Sequence, residues 1–545
     1  MKGKQAMKKL LSYLLLVAML VTCFSFASAE TPVVRTGTTL FECDENGYPD
    51  LGGVTLTIWM PLDSSMTEFI ETNSDLKVIQ NFEEMVNVNL EFVHPSVGAE
   101  QEGFSTMLAS GDYPDMIFEG YVERYYAGGL AMAYEDGLVY DYTELVSPET
   151  TPNYWAYVMK DPYLLNIAVD DFGRNVHLGS QVSGSEEICT CMWGLMIRED
   201  LLKEAGLEIP VTIDDWTHML RTFKEMGVKY PLLLNKSGYW LSRNAFSSAW
   251  NIDARNFCLR EDGEVIYGPA TPEYKEYLST IAMWYKEGLI NPDFATDTQS
   301  DTWAMLASDE GGAVAEHTYG YATNYHTVLD VDNNPEENLV AAQMPKLNAD
   351  DPLTRVMVTN RGLGKQKYIC ASSEYKKECV ALLDALYYPE IEFMFSNGIE
   401  GIGYNLNEYG YPVITNVEYN ENATVEEKRS MRLYNFETES DSDLNYIITS
   451  KYCYGPQPDT CILYSQCGYD LLWPKGASFT ADEAEVIADY KTDVETYRAE
   501  MMMKFVTGTA DIEAEFDGYL AKLNDLGLKE MLEVYKSSYA RYIAR

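Results

Sequence analysis

The stretch 54–120 constrains the fold most, because three short apolar runs alternate there with two segments of helical periodicity. The apolar runs, which are rich in β-branched and aromatic residues, are 54–59, 89–93 and 115–118. Between them, 75–86 and 100–110 place apolar residues at helical spacings. This β-α-β-α-β order predicts a parallel, doubly wound sheet whose ligands bind beyond the carboxyl ends of the strands.

Four side chains border the ends of these predicted strands. Trp59 ends the first strand, Asp63 lies just beyond it, and Glu119 follows the third strand. Since ligands of a doubly wound sheet bind at that edge, we expect these three at the mouth of a cleft. Asp115 belongs to a Gly-Asp-Tyr-Pro-Asp turn before the third strand, which would fix its carboxylate near the cleft; its other possible role is a turn or cap carboxylate.

The amino terminus has the pattern of an export signal. Four lysines, at positions 2, 4, 8 and 9, precede an apolar run over 10–21 that is short for a membrane-spanning helix. Ala27 and Ala29 form a small-x-small cleavage site, which predicts a signal peptide over 1–29 and Glu30 as the first mature residue. The alternative is a lipid anchor on Cys23, after an unusual Thr22. Either way, we expect an extracellular or cell-surface protein.

Length and charge bound the class of protein. About 500 mature residues exceed what a single core organises, which predicts two domains. The formal charge is −45, with 85 acidic and 40 basic residues. Nucleic acid and anionic lipid are disfavoured as partners, because neither approaches such a field without a local basic patch, and the sequence has no clear one. We expect a monomer.

The ten cysteines are loosely spaced and give no metal-binding pattern. Cys189 and Cys191 are too close for the usual two-residue knuckle, and the set Cys453, Cys461 and Cys467 has no histidine nearby. Cleavage after Ala29 leaves nine. Two interpretations stay open for an exported protein, namely one or two disulfides or mostly buried free thiols.

Helix and turn signals continue through the second half of the chain. A strand over 192–197 is predicted to start the second domain. Asp262-Gly263 between two apolar runs predicts a hairpin. Thr480 and Glu483 form a capping box that opens a long helix. Further predicted N-caps are Thr212 and Thr271.

Four short motifs resemble a known family. They are YGPATPEY at 267–274, WYKEGLINPDF at 284–294, ASGDYPD at 109–115 and NGIEGIGY at 397–404. Together with the tail 479–542, they resemble the extracellular solute-binding proteins of carbohydrate ABC transporters, specifically the large LipO-like branch of Gram-positive bacteria. The resemblance covers nearly the whole mature chain in the right order.

The resemblance implies an α/β fold of the type II periplasmic-binding-protein kind. Each of its two lobes would be a doubly wound mixed sheet flanked by helices, and the chain would cross the hinge between them more than once. We expect the amino-terminal lobe to comprise 50–170 and 347–405. The carboxy-terminal lobe would comprise 171–346 and 406–545, with the last helices bracing the hinge.

A carbohydrate site needs aromatic planes for the C–H faces of the sugar and carboxylates or amides for its hydroxyls. Five tryptophans are candidate stacking planes, and for each a core role is the alternative: Trp59, Trp193, Trp240, Trp303 and Trp473. The candidate polar residues are Asp63, Asp115, Glu119, Arg361 and Glu400, with Tyr404 beside the last.

Enzyme chemistry is the competing class. Paired carboxylates could hydrolyse glycosides, but a chain with 85 acidic residues offers pairs by chance. The sequence has no Gly-x-Ser-x-Gly elbow, no His-Glu-x-x-His site and no phosphate-binding loop. We therefore expect no catalytic residue, no metal and no cofactor. The predicted function is capture of a carbohydrate, an oligosaccharide, for delivery to membrane permease subunits; a secreted glycosidase or lyase, or a peptide-binding protein, is the alternative.

Overall fold

Two groups of hydrophobic cores divide the molecule into two lobes. The computed structural model describes residues 37–160, 162–177, 193–236, 238–317, 319–357, 365–433, 435–436 and 453–545. One group of core residues comes from 37–177 and 365–436, here called the first lobe. The other comes from 193–357 and 453–545, the second lobe. The chain therefore builds each lobe from two separate segments.

The predicted β-α-β-α-β unit is confirmed in the first lobe. Its strands are β1 (Val54–Trp59), β2 (Val88–Val93) and β3 (Met116–Ile117), and β2 and β3 both pair with β1 in parallel. The helices of this segment are α1 (Lys77–Val86), α2 (Glu100–Ser110), α3 (Tyr121–Tyr125), α4 (Gly129–Glu135), α5 (Pro152–Val158) and α6 (Pro162–Ala168).

The second lobe contains a four-stranded mixed sheet and a hairpin. Its strands are β4 (Trp193–Arg198), β5 (Tyr230–Leu233), β6 (Phe257–Leu259), β7 (Val265–Tyr267), β8 (Gly311–His317) and β9 (Leu339–Ala342). The sheet order is β5-β8-β4-β9, in which β8 runs parallel to β5 and β4 runs antiparallel to its neighbours. The helices are α7 (Glu199–Ala205), α8 (Ile213–Glu225), α9 (Tyr239–Ser242), α10 (Pro272–Lys286), α11 (Gln299–Ala307) and α12 (Tyr319–Tyr321).

The chain then returns to the first lobe. β10 (Tyr368–Ile369) pairs antiparallel with β3, so the first sheet has the order β10-β3-β1-β2. β11 (Tyr404–Leu406) and β12 (Pro412–Ile414) form a separate hairpin. The helices of this segment are α13 (Lys376–Ala385), α14 (Pro389–Asn397) and α15 (Val425–Lys428).

Four helices complete the second lobe: α16 (Gln457–Ser465), α17 (Ala481–Val506), α18 (Ile512–Asp525) and α19 (Leu528–Tyr542). The predicted capping box is present, since Thr480 accepts from the Glu483 amide and Glu483 accepts from the Thr480 amide. α17 packs on α10 and α19 of its own lobe and also on α4 of the first lobe. This long helix therefore contacts both lobes.

The lobe boundaries differ from the predicted ones. Residues 406–436 pack on the first lobe, where the Phe436 ring meets Phe82 and Phe395, so the boundary predicted at 405 divides a hairpin. Residues 347–357 stay with the second lobe, since Val356 belongs to its core and accepts a hydrogen bond from Asn244. Val176 packs in the first lobe, beyond the predicted limit at 170.

Several of the cysteines lie within the described residues. Cys43, Cys258, Cys370 and Cys379 are free thiols, and burial raises the pKa of Cys258 to about 12. The predicted signal peptide and the pair at 189 and 191 lie outside the described residues. Within the residues that the structure describes, none of the helices combines the length and apolarity needed to span a membrane.

Candidate ligand-binding site

A tight turn directs the chain away from the carboxyl edge of the first-lobe sheet. Glu119 and Gly120, which follow β3, both have positive φ angles, +75° and +69°. The Gly120 amide donates to the carbonyl of Gln366, the residue before Lys367 and β10. This turn leads directly into α3 and α4, which therefore lie beside that edge of the sheet.

A cavity of about 820 Å³ lies between these helices and the amino-terminal half of α17. Part of its wall comes from residues next to the chain crossings between the lobes, namely Arg174, Val176, His177 and Gln366. The segment 475–479 closes another side. Because one wall belongs to the first lobe and the other to the second, a ligand held here would contact both lobes.

Four aromatic rings line this cavity, and all are half-buried: Tyr126, Tyr134, Phe479 and Tyr535. Tyr134 carries the Arg174 guanidinium 4.2 Å from its ring centroid. Tyr535 is fixed by a stacked contact with Phe257, with centroids 3.7 Å apart, and by an edge contact with Phe479. Half-buried rings held by neighbours are the aromatic planes that sugar recognition requires.

The polar lining of the cavity combines basic side chains with carboxyl groups, one of which has a raised pKa. Arg124, Arg174, Lys475 and Lys491 are its basic residues. Asp170 binds Arg174 with an O–N distance of 2.7 Å. Glu123 also lines the cavity, and desolvation raises the pKa of its carboxyl group to about 8.

His177 stands on the first crossing, at the cavity wall. Burial lowers its pKa to about 4, although Asp170 opposes the shift, so the ring is neutral at pH 7. Its Nδ1 atom is buried and has no hydrogen-bond partner among the described residues. Such a neutral ring can give or accept a hydrogen bond but adds no charge to the cavity.

The polar residues predicted at the sheet edge have mainly structural contacts. Asp115 accepts from the Thr57 amide and hydroxyl at 2.8 Å and from the Ser373 hydroxyl at 2.6 Å, which ties β1 to β3. Asp63 is exposed and accepts from the Ser65 amide and hydroxyl within its own turn. These contacts account for both carboxylates without a ligand.

Glu119 is half-buried at the turn after β3, one residue before Gly120. It accepts a hydrogen bond from the Tyr121 hydroxyl at 3.2 Å. Burial raises the pKa of the Glu119 carboxyl, while Lys365 and other nearby cations lower it in part. The residue lies at the predicted edge but is not part of the cavity lining.

Three of the five predicted stacking tryptophans are buried. Trp59 is 2% exposed and packs edge-on against Phe104 and Tyr121. Trp240 and Trp303 are 3% and 1% exposed and belong to second-lobe cores. Neighbouring side chains cover these rings, so none offers a free face to a sugar in this conformation.

The other two tryptophans are partly accessible. Trp193 begins β4, opposite His317 at the carboxyl end of β8, and the Arg243 guanidinium lies 3.4 Å from its ring centroid. Trp473 packs edge-on against Tyr535 with centroids 4.7 Å apart. Neither lines the cavity. Trp473 contributes to the cavity indirectly, because it packs against Tyr535, whose ring lines the cavity.

Of the remaining predicted site residues, Glu400 and Tyr404 lie outside the cavity lining. Glu400 is exposed and accepts from the Tyr404 hydroxyl at 3.5 Å, a contact within the 397–414 surface segment of the first lobe. Arg361 is outside the described residues. In the part of the chain that the structure covers, no cluster of three or more His, Cys, Asp or Glu side chains could hold a metal ion.

Sequence reasoning missed the residues that do line the cavity. The candidate residues were chosen at strand ends and among the tryptophans, whereas much of the lining comes from α3, α4 and α17. One signal was available, since Tyr126 and Glu123 follow directly on the carboxyl end of β3, where ligands of such sheets bind.

A model of the family of bacterial extracellular solute-binding proteins matches residues 63–390. The chain belongs to this family. Members are extracellular binding proteins rather than enzymes, and the resemblance seen in the sequence is confirmed. A curated relative is the lipoprotein LipO of Bacillus subtilis (strain 168), 24% identical over 348 residues, which are 60% of this chain and 63% of LipO. The match thus spans less than two thirds of that relative's length.

Solved structures of solute-binding proteins have the same two-lobe fold. The alginate-binding protein AlgQ2 superposes with a TM-score of 0.66 at 20% identity, covering 89% of this chain and 98% of AlgQ2. The S. pneumoniae ABC-transporter substrate-binding protein FusA, in complex with kestose, superposes with a TM-score of 0.68 at 16% identity, covering 90% and 99%. At these identities the likeness establishes the fold.

Proposed function

We propose that this solute-binding protein captures a carbohydrate, an oligosaccharide, for an ABC importer. The observation that carries the proposal is the 820 Å³ cavity, which has half-buried aromatic rings on both of its walls. Tyr126 and Tyr134 belong to the first lobe and Tyr535 to the second. The binding of alginate by AlgQ2 and of kestose by FusA supports the same class of ligand.

Capture would work through the contacts on both walls. A ligand that touches Tyr134 and Tyr535 together binds the closed form more tightly than the open form, and so shifts the population toward closure. The closed form would then dock on a membrane permease pair that a cytoplasmic ATPase drives. In this scheme the chain acts as a monomer and needs no cofactor and no catalytic residue.

Export and anchoring complete the proposal. A signal peptide over 1–29 with cleavage after Ala29 would release the mature protein, whereas lipidation at Cys23 would tether it near the permease. Mass spectrometry of the mature amino terminus distinguishes the two, because only the lipid-anchored form begins at a diacylglyceryl cysteine.

A thermal-shift screen of the protein beginning at Glu30 tests the function. The panel contains neutral oligosaccharides, oligouronates and short peptides of matched length. A ligand specific for the folded state stabilises it by about 2.7 kcal/mol at a hundredfold excess over Kd, so a saturable rise of the midpoint is expected with one oligosaccharide series. A rise with peptides alone would contradict the carbohydrate assignment, and consumption of a sugar during the assay would contradict the absence of catalysis.

A further inference from the structure

The charge of the cavity differs in sign from that of the whole chain. Acidic residues outnumber basic ones 85 to 40 in the sequence. Around the cavity the order reverses, with four basic residues, Arg124, Arg174, Lys475 and Lys491, against three acidic ones, Glu123, Asp170 and Glu495. A concave surface concentrates such a local field, so the cavity attracts anions although the protein as a whole repels them.

Two of these cations face the cavity from opposite walls. Arg124 ends α3 of the first lobe, and its guanidinium lies 5.6 Å from the Tyr121 centroid and 5.9 Å from the Tyr125 centroid. Lys491 lies on the exposed face of α17, in the second lobe. Neither side chain is within ion-pair distance of a carboxylate in the described part of the chain. Both are therefore available to a ligand, and the two tyrosine rings hold the guanidinium in place.

The nearby carboxyl groups do little to cancel this positive charge. Asp170 is occupied by Arg174, with 2.7 Å between Oδ2 and Nε. The Glu123 carboxyl is protonated near neutral pH, because the surrounding protein raises its pKa to about 8. Outside the lining, burial raises the pKa of the Glu119 carboxyl, whose charge interacts with Arg124. Glu495 is the remaining acidic residue of the lining. The lining thus carries more positive than negative charge at pH 7.

We infer that the ligand is an acidic oligosaccharide whose carboxylates bind Arg124 on one wall and Lys491 on the other. This inference rests on the proposed function and narrows it to one substrate class. Aromatic rings would stack on the sugar faces, while the two cations would bind carboxylates on different sugar units of the oligosaccharide. Charge-assisted hydrogen bonds to carboxylates are about twice as strong as neutral ones, which favours acidic over neutral sugars. An oligosaccharide that engaged both cations would also bridge the lobes and favour closure.

The test is titration calorimetry with matched pairs of oligouronates and their carboxyl methyl esters. Each pair has the same length, linkage and ring faces and differs in charge alone. We expect at least one oligouronate to bind about tenfold or more tightly than its ester, and the difference to shrink as salt is added. The variant with both Arg124→Gln and Lys491→Gln should lose this discrimination yet still bind the ester. Lys529→Gln, an exposed lysine outside the cavity, is the matched control and should retain it.

The possible outcomes separate the inference from the function on which it rests. If esters or other neutral oligosaccharides bind as tightly as every oligouronate, the acidic class is wrong and the carbohydrate function stands. If discrimination survives in the double variant, the assignment to Arg124 and Lys491 is wrong, since these residues are then not its source, and the carbohydrate function again stands. If no oligosaccharide of either kind binds, the proposed function itself is wrong.

Discussion

The predicted tryptophans and the cavity tyrosines hold their rings in opposite environments. Trp59, Trp240 and Trp303 are almost fully covered by protein, whereas Tyr134 and Tyr535 are half-buried at the cavity surface. A large apolar indole gains most from complete burial, while a tyrosine can keep its apolar body packed and its hydroxyl wet. In this chain, the tryptophans near strand ends are therefore mostly core residues, whereas the tyrosine-rich segment after β3 supplies rings to the cavity surface.

Removing a buried ring should cost stability before it costs binding. Trp303→Ala deletes an indole that is 1% exposed and packed beside Tyr325, so we expect the free energy of unfolding to fall by about 3–5 kcal/mol. Urea denaturation followed by circular dichroism measures the change. Trp303→Phe, the conservative control, should cost about half as much. A loss below about 1 kcal/mol for the alanine variant would mean that this ring is not part of a packed core.

Removing a cavity ring should have the reverse effect. Tyr134→Leu leaves an apolar side chain but no aromatic face, so we expect affinity for the oligosaccharide to fall about tenfold, with little change in unfolding midpoint. Tyr419→Leu is the matched control, since Tyr419 is 66% exposed and lies away from the cavity. Equal affinity in both variants, measured by calorimetry, would place the ligand elsewhere.

The smallest effect concerns pH. Glu123 is neutral below its pKa of about 8 and becomes a carboxylate above it, which adds negative charge next to the ligand. Its charged or titratable neighbours around the cavity are Arg124, Asp170, Arg174, His177, Lys475, Lys491 and Glu495. His177, with a pKa of about 4, stays neutral throughout. Affinity for an oligouronate should therefore be level from about pH 6 to 7 and fall several-fold by about pH 9.

Glu123→Gln isolates this effect. The amide has nearly the same shape and cannot ionise, so the fall above about pH 8 should disappear in this variant. A neutral oligosaccharide should show little pH dependence in either protein. If the wild-type profile for the oligouronate is flat to about pH 9, the Glu123 carboxyl does not face the ligand.

The sequence was sufficient for local structure. Alternating apolar runs over 54–120 predicted the parallel β1–β3 unit, and the Thr480 capping box predicted where α17 begins. These features depend on neighbours in the chain, so periodicity and caps reveal them. The predicted boundary at 405 differs from the limit of the first-lobe core, because that limit depends on Phe436 packing against Phe82, a contact between residues far apart in sequence.

The site was less predictable for the same reason. Trp59 ends a strand as predicted, but Tyr121 of α3 packs against its ring, and no local sequence pattern indicates that contact. Lys491 lies on α17, which buries one face in the second-lobe core and also contacts α4 of the first lobe. The packing of the two lobes determines which polar helix face borders a cavity. A single sequence does not reveal that packing.

The most direct test of the account is to fill the cavity from α17. Ala488 lines the cavity and is exposed there, so Ala488→Trp would place an indole in the ligand space, whereas Asp489→Trp puts the same ring on an exposed position outside the lining. Both variants should unfold at the wild-type midpoint. Calorimetry with the oligosaccharide that gives the largest thermal shift should detect binding to Asp489→Trp and none to Ala488→Trp. Wild-type affinity in Ala488→Trp would contradict the claim that the ligand binds between α3, α4 and α17.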